Sequence, residues 1–272
     1  MRSLLDFYLQ SSIHVSFSIV ALTAMSYWQN DITFDIALLV FTFSSSIAGY
    51  NFIKYAPLML KQKLDWMSDL PLISLVSFLG VLSSLICTIY LSYKVVLLSI
   101  FLGFLVFWYT FPITPQGQNL RHQPLIKLLV IALVWASISV LFPILNERLM
   151  NVDLSLLVFD IAERMIWVIA LMIPFEIRDI VDDSKSGKSV INHIGINKAK
   201  GISVGLLVLF INLKPLFYDQ IFAVDIFIYI SLFLMLLFTR QNQSPYFSSL
   251  WVESLPVFWL IFLIFSSSMD VN

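Results

Sequence analysis

Apolar residues fall in long runs along this chain, and short polar stretches separate the runs. A helix needs about 17–25 such residues to cross the hydrocarbon core of a bilayer. Nine runs approach that length, near 12–28, 33–50, 70–92, 95–111, 125–144, 154–175, 201–217, 221–239 and 248–265. Sustained two-residue alternation, the mark of a membrane β-barrel, is absent. The pattern predicts an all-α polytopic membrane protein. Its expected form is a bundle of about nine transmembrane helices around a central cavity, built as a single domain over 1–272.

Composition agrees with the pattern. Hydrophobic residues make up 59% of the chain and charged residues 12%, and the mean hydropathy is +0.90. A soluble domain of this length could not bury so much apolar surface. The apolar composition makes membrane lipid the expected partner; the net charge of -1 is uninformative about nucleic acid, and no basic tract suggests it. Cys87 is the single cysteine, so an internal disulfide is excluded; in its apolar run it reads as a buried, inert thiol. No small-residue cleavage site follows the first run, which reads as a retained span.

Charge asymmetry sets an expected orientation. With the N-terminus inside, inner segments hold 12 of the 16 Lys and Arg residues and outer segments three: Lys94, Arg148 and Lys214. The remaining base, Arg164, falls inside the sixth run. The N-terminus is therefore expected in the cytoplasm and the C-terminus outside, in a bacterial inner (cytoplasmic) membrane. The longer polar connections, 51–69, 112–124 and 176–200, all fall on the inner side. Long polar loops tend to carry function, so a site facing the cytoplasm is expected.

The densest charge lies in Glu176–Lys188, where four carboxylates and three bases fall within thirteen residues. If the sixth helix continues through Asp183, then Glu176, Asp179 and Asp183 share one face at spacing i, i+3, i+7. On another face Arg178 and Asp182 can pair. Carboxylates crowded at a membrane edge repel each other, and a divalent cation relieves that repulsion. Mg²⁺ takes one or two carboxylates and completes its shell with water and phosphate oxygens. The spacing fits a Mg²⁺-bridged site for a phosphorylated ligand, with Lys185 and Lys188 in reach; it fits equally a solvated loop with internal ion pairs.

The run Pro174–Gly187 resembles the second aspartate-rich motif of the UbiA-type intramembrane prenyltransferases. Other stretches are similar to segments of that family: Trp108–Pro112 to the end of its fourth helix, Lys127–Pro143 to its fifth, and His193–Lys200 to the approach to its seventh. The resemblance implies that an isoprenoid diphosphate is held through Mg²⁺ and that its prenyl group passes to a lipophilic acceptor, which can be aromatic. It implies Asp179 and Asp183 as Mg²⁺ ligands, with Glu176 a longer carboxylate at a third ligand position. Arg178 and Lys185 are implied near the diphosphate. Tyr109 can place its hydroxyl near the leaving group or face the cation, and reads as well as an interfacial belt tyrosine; Arg121 can meet a phosphate or an acceptor, or sit in a solvated loop. The first motif departs from the family pattern. Asn51 is present, but Tyr55 and Met59 occupy the aspartate positions four and eight residues later. Lys54 shares the helical face of Asn51, where a lysine can contact diphosphate as a point charge. Asp65 and Asp69 lie too far downstream to substitute. Other readings are an intramembrane terpene cyclase, a non-catalytic protein that binds isoprenoid lipids, and a small-molecule transporter; charge gathered at one face argues against the last.

Overall fold

The computed structural model describes residues 4–30, 32–60, 69–111, 120, 123–147, 153–180, 190–218 and 223–270. All regular structure among them is helical. The helices are α1 (Leu4–Gln10), α2 (Ile13–Gln29), α3 (Ile36–Leu60), α4 (Leu70–Cys87), α5 (Tyr93–Thr110), α6 (Pro124–Ala136), α7 (Phe142–Asn146), α8 (Leu154–Arg178), α9 (Val190–Ile194), α10 (Ile196–Leu213), α11 (Ala223–Phe238) and α12 (Leu255–Asp270). A π-helical turn, Ser137–Leu141, joins α6 to α7; another, Phe247–Val252, precedes α12; and a 3₁₀ turn, Lys214–Leu216, follows α10.

A helix occupies each of the nine apolar runs. Among the described residues, six helices are long and apolar enough to cross a membrane, and the bent pair α1–α2 makes a seventh. The predicted count of nine is not reached on length and apolarity. The reason lies in two helices: α11 has only 16 residues, and α8 has 25 but carries Asp160, Glu163, Arg164, Glu176 and Arg178. The chain is nonetheless a polytopic membrane protein. Its large exposed side chains, such as Phe78, Leu85, Phe101 and Phe262, suit a hydrocarbon solvent.

The chain divides into two compact units. The first comprises residues 1–120 and 141–150; the second comprises 121–140 and 151–272. In the first unit, α3 packs on α2 and α4, and α7 packs on α2, α3 and α5. The α3–α4 crossing is tight at Gly80, where a Cβ would stand 2.8 Å from the Ser44 carbonyl oxygen. Hydroxyls in α2 donate to carbonyls one turn back, as Ser16 to Ser12, Thr23 to Ile19 and Ser26 to Leu22, so they are satisfied without water. One end of the unit is tied by Asn146, whose Oδ1 accepts from the Ser92 amide while its Nδ2 donates to Asp35 at 2.6 Å. Cys87 is free and buried, as its apolar run predicts.

In the second unit, α8 is central. It packs on α6, α9, α10, α11 and the Phe247–Val252 turn. Its start is capped by Asp153, which accepts from the Ser155 amide. The Ser155 hydroxyl and amide hold the exposed Asp153 carboxyl below the usual aspartate value. Gly195, at φ 84°, makes the corner between α9 and α10, a backbone region that favours glycine.

Candidate functional site

In the first unit, Asn51 and Lys54 lie on the later half of α3 and converge on the break between α1 and α2. That break bends the chain by 58°. It leaves Ser12 in the left-handed region at φ 62°. Ser12 Oγ donates to Asn51 Oδ1 at 2.7 Å and accepts from Lys54 Nζ at 2.9 Å. Lys54 Nζ also donates to the Leu9 carbonyl at 3.3 Å, and the Tyr55 hydroxyl donates to the Gln10 carbonyl at 2.9 Å. Both carbonyls lie in the last turn of α1, and a cation there also complements the helix dipole. Asn51 Nδ2 donates to Ser77 Oγ on α4 at 2.8 Å. The residues expected at the first motif thus join α1, α2, α3 and α4. A largely apolar groove of about 310 Å³ runs between α3 and α4, lined by Asn51, Phe52, Tyr55, Ile73, Ser77 and Phe78. Tyr109 is buried in the last turn of α5.

In the second unit, the sequence leads one to expect α8 to run on through Asp183. It closes at Arg178 instead, with Asp179 as its C-cap and the Asp179 amide donating to the Phe175 carbonyl. Arg178 pairs with its neighbour, Nε to Asp179 Oδ1 at 2.7 Å. Adjacent residues do not face each other along a regular helix, and this pair forms at the turn that Asp179 makes where α8 closes. Arg178 Nη1 donates to Ser248 Oγ at 2.8 Å and to Ser249 Oγ at 3.0 Å. Its guanidinium stands 5.2 Å from the Phe175 ring centroid. Glu176 is buried, and its Oε1 lies 2.5 Å from Nζ of Lys127 on α6. Gln243 Nε2 donates to the Pro174 carbonyl at 2.8 Å, bringing the chain before α12 against the end of α8.

Asp183, Lys185 and Arg121, together with Asp182 and Asp65, lie outside the described residues. Among the described residues no cluster of three His, Cys, Asp or Glu side chains could hold a metal ion. Glu176 is enclosed and faces a lysine, and among the described residues of α8's last turn and cap Asp179, its side chain 38% exposed, is the accessible carboxylate. Such a donor set cannot cage an ion. It does fit Mg²⁺, which commonly keeps several waters and binds through one or two carboxylates and the phosphates of a substrate.

A third constellation lies beyond what spacing along the chain predicts. Glu163 Oε1 accepts from the Tyr229 hydroxyl at 2.8 Å and lies 3.4 Å from Lys214 Nζ. Lys214 Nζ stands 2.9 Å from Asp225 Oδ2, and Trp259 Nε1 donates to Asp225 Oδ1 at 2.8 Å. Beside them Asp160 accepts from the Tyr218 hydroxyl at 2.6 Å, and the buried Arg164 guanidinium lies 6.0 Å from the Trp259 ring. Burial, and then the Asp160 carboxylate, push the Tyr218 hydroxyl well above its ordinary value, so it stays a donor. The charge count places Lys214 in an outer segment; it is 2% exposed and sits inside the unit. One signal in the sequence points to the network: Asp225 stands alone in an apolar run, and an ionisable residue there needs a partner. Glu163 and Glu176 are thirteen residues apart on α8, about 20 Å along its axis. The network is therefore separate from the charged end of the helix.

No family model matches the chain, and no curated protein matches its sequence. A solved structure of digeranylgeranylglyceryl phosphate synthase, studied in membranes, has a similar fold. The likeness covers 94% of each chain with a TM-score of 0.57, at 14% sequence identity.

Proposed function

We propose that this protein binds an isoprenoid diphosphate at the C-terminal end of α8 and transfers the prenyl group to a lipophilic acceptor, which can be aromatic. The observation that carries this reading is the fold shared with digeranylgeranylglyceryl phosphate synthase. The ionisable residues gathered where α8 ends agree with it.

In the proposed reaction, the bond between the allylic carbon and the diphosphate oxygen breaks. The electron pair leaves with pyrophosphate. An electron pair of the acceptor forms the new bond to the allylic carbon, and the acceptor then releases a proton. Mg²⁺, bound with the substrate, supplies charge neutralisation that makes pyrophosphate a better leaving group. Asp179, with Asp183, is proposed to hold it. Arg178 binds the phosphates directly, and Lys185 and Arg121 are proposed to add positive charge. The surrounding apolar helices exclude water, which would otherwise capture an allylic cation. Lys127 neutralises Glu176, so that carboxylate does not oppose the incoming anion. Asn51 and Lys54 are committed to the α1–α2 break and are assigned no step.

A second reading is supported by that commitment. A protein that binds isoprenoid lipids without turning them over would also tolerate Tyr55 and Met59 where metal-binding aspartates are expected. Membranes containing the protein, given radiolabelled prenyl diphosphates of several chain lengths with aromatic and other lipophilic acceptors, separate the two. Mg²⁺-dependent product that disappears in Asp179→Asn supports transfer. Retained isoprenoid binding with no product from any donor supports the second reading.

A further inference from the structure

We propose that Ser248 and Ser249, in the π-helical turn before α12, are positioning residues that hold the Arg178 guanidinium for a diphosphate. This rests on the reading of the α8 end as a diphosphate site.

Both serine hydroxyls accept from one nitrogen, Arg178 Nη1, at 2.8 and 3.0 Å. The local helix type makes that pairing available. The Glu253 amide donates to the Ser248 carbonyl, a five-residue spacing that widens the turn. In a wider turn successive side chains diverge less than in an α-helix, so neighbouring serines can reach one partner. The turn is itself pinned. Ser248 is fully buried, and Gln243, just upstream, donates to the Pro174 carbonyl of α8.

The consequence falls on the arginine. Its five N–H donors include one on Nε and two on Nη1. Nε is used by Asp179 and Nη1 by the two serines. Phe175 supports the guanidinium from the helix side. Among the described residues, the two donors on Nη2 remain for a phosphate oxygen. A guanidinium held by its other donors loses little side-chain freedom when an anion binds, so the serines act on affinity through Arg178. They also leave Asp179 Oδ2 outside the arginine contact, as a metal-bridged substrate requires. Lysine cannot reproduce this, because a single ammonium replaces the fork.

The test is a double-mutant cycle on the full-length protein in detergent, reading the Kd of pyrophosphate with Mg²⁺ by calorimetry and the KM and kcat for a prenyl diphosphate. Ser248→Ala/Ser249→Ala is expected to weaken pyrophosphate binding and raise KM by roughly tenfold, the scale of a hydrogen bond to a charged group, with kcat within about twofold. In an Arg178→Lys background the same substitutions should change neither. Ser249→Ala alone, at a less buried site, should give a smaller loss, and Ser249→Thr, which keeps the hydroxyl, should restore affinity. Equal losses with arginine and with lysine at that position, or no loss with either, overturn the positioning role and leave the prenyl-transfer reading standing. A wild-type protein that neither binds Mg²⁺–pyrophosphate nor turns over any donor overturns both.

Discussion

The ammonium of Lys127 and the carboxylate of Glu176 lie 2.5 Å apart across α6 and α8, with Glu176 1% exposed. This pair fixes how two helices meet beside the charged end of α8. It also makes Glu176 a helix-packing group in this structure, where the family resemblance implies a metal ligand. Removing the Lys127 ammonium leaves the buried Glu176 carboxylate with less to offset its desolvation, and losing one partner of a buried ion pair costs about 3–5 kcal/mol. Lys127→Met should therefore lower the unfolding midpoint strongly. Lys127→Met/Glu176→Gln should recover most of the loss, as thermal unfolding in detergent would show.

The Glu163–Lys214–Asp225 network calls for the same arithmetic with a different functional outcome. Lys214→Met leaves two carboxylates facing one another in the second unit, and a loss of about 3–5 kcal/mol is expected. The site lies about 20 Å along α8 from Glu176. KM for a prenyl diphosphate should stay within about twofold in whatever fraction remains folded. Tryptophan fluorescence is a direct reporter of the change, because Trp259 donates to Asp225.

Asp179 is the counterpoint, half-buried and at the end of a helix. Surface ion pairs contribute about 0–1 kcal/mol, so Asp179→Asn should barely shift the unfolding midpoint. Turnover should fall by about a hundredfold or more, the scale for losing a group that acts on transition-state charge. Removal of Mg²⁺ with a chelator should match that loss in wild type and add little in Asp179→Asn.

Lys54 separates anchoring from anion binding. Its contacts to Leu9 and Ser12 predict that Lys54→Met loosens the α1–α2 break, with a loss of about 1 kcal/mol, typical of a hydrogen-bonding cap. Protease cleavage near α1 should speed up, while pyrophosphate affinity should not change. A fall in affinity would return Lys54 to the diphosphate site.

Gly80→Val tests the α3–α4 crossing. An added Cβ meets the Ser44 carbonyl oxygen at 2.8 Å, and backbone cannot swing aside. Overpacking of this kind costs about 1–3 kcal/mol. The separation should also break the Asn51–Ser77 bond, so Asn51→Ala on top of Gly80→Val should add less than it does alone.

Much of this protein is legible from one dimension. Apolar run length alone places a helix on each of nine stretches, because a membrane solvent permits little else where backbone groups must be satisfied internally. The cluster at Glu176–Asp179 stands out for the same reason: charge is costly there, so its presence is information. The missing aspartates at Tyr55 and Met59 are equally plain. Partners are not. Spacing on an ideal helix names partners only within one segment, whereas the fold brings Ser248 and Ser249, some seventy residues away, to Arg178. Spacing offers Lys54 to a phosphate, and the bend at Ser12 gives it that hydroxyl and a helix-end carbonyl. The charge count treats Lys214 as a loop charge, and packing encloses it between Glu163 and Asp225. Hydrophobic periodicity is a property of each segment by itself, so the chain carries it openly. The partner of a buried charge depends on which segments meet, and only the tertiary structure decides that.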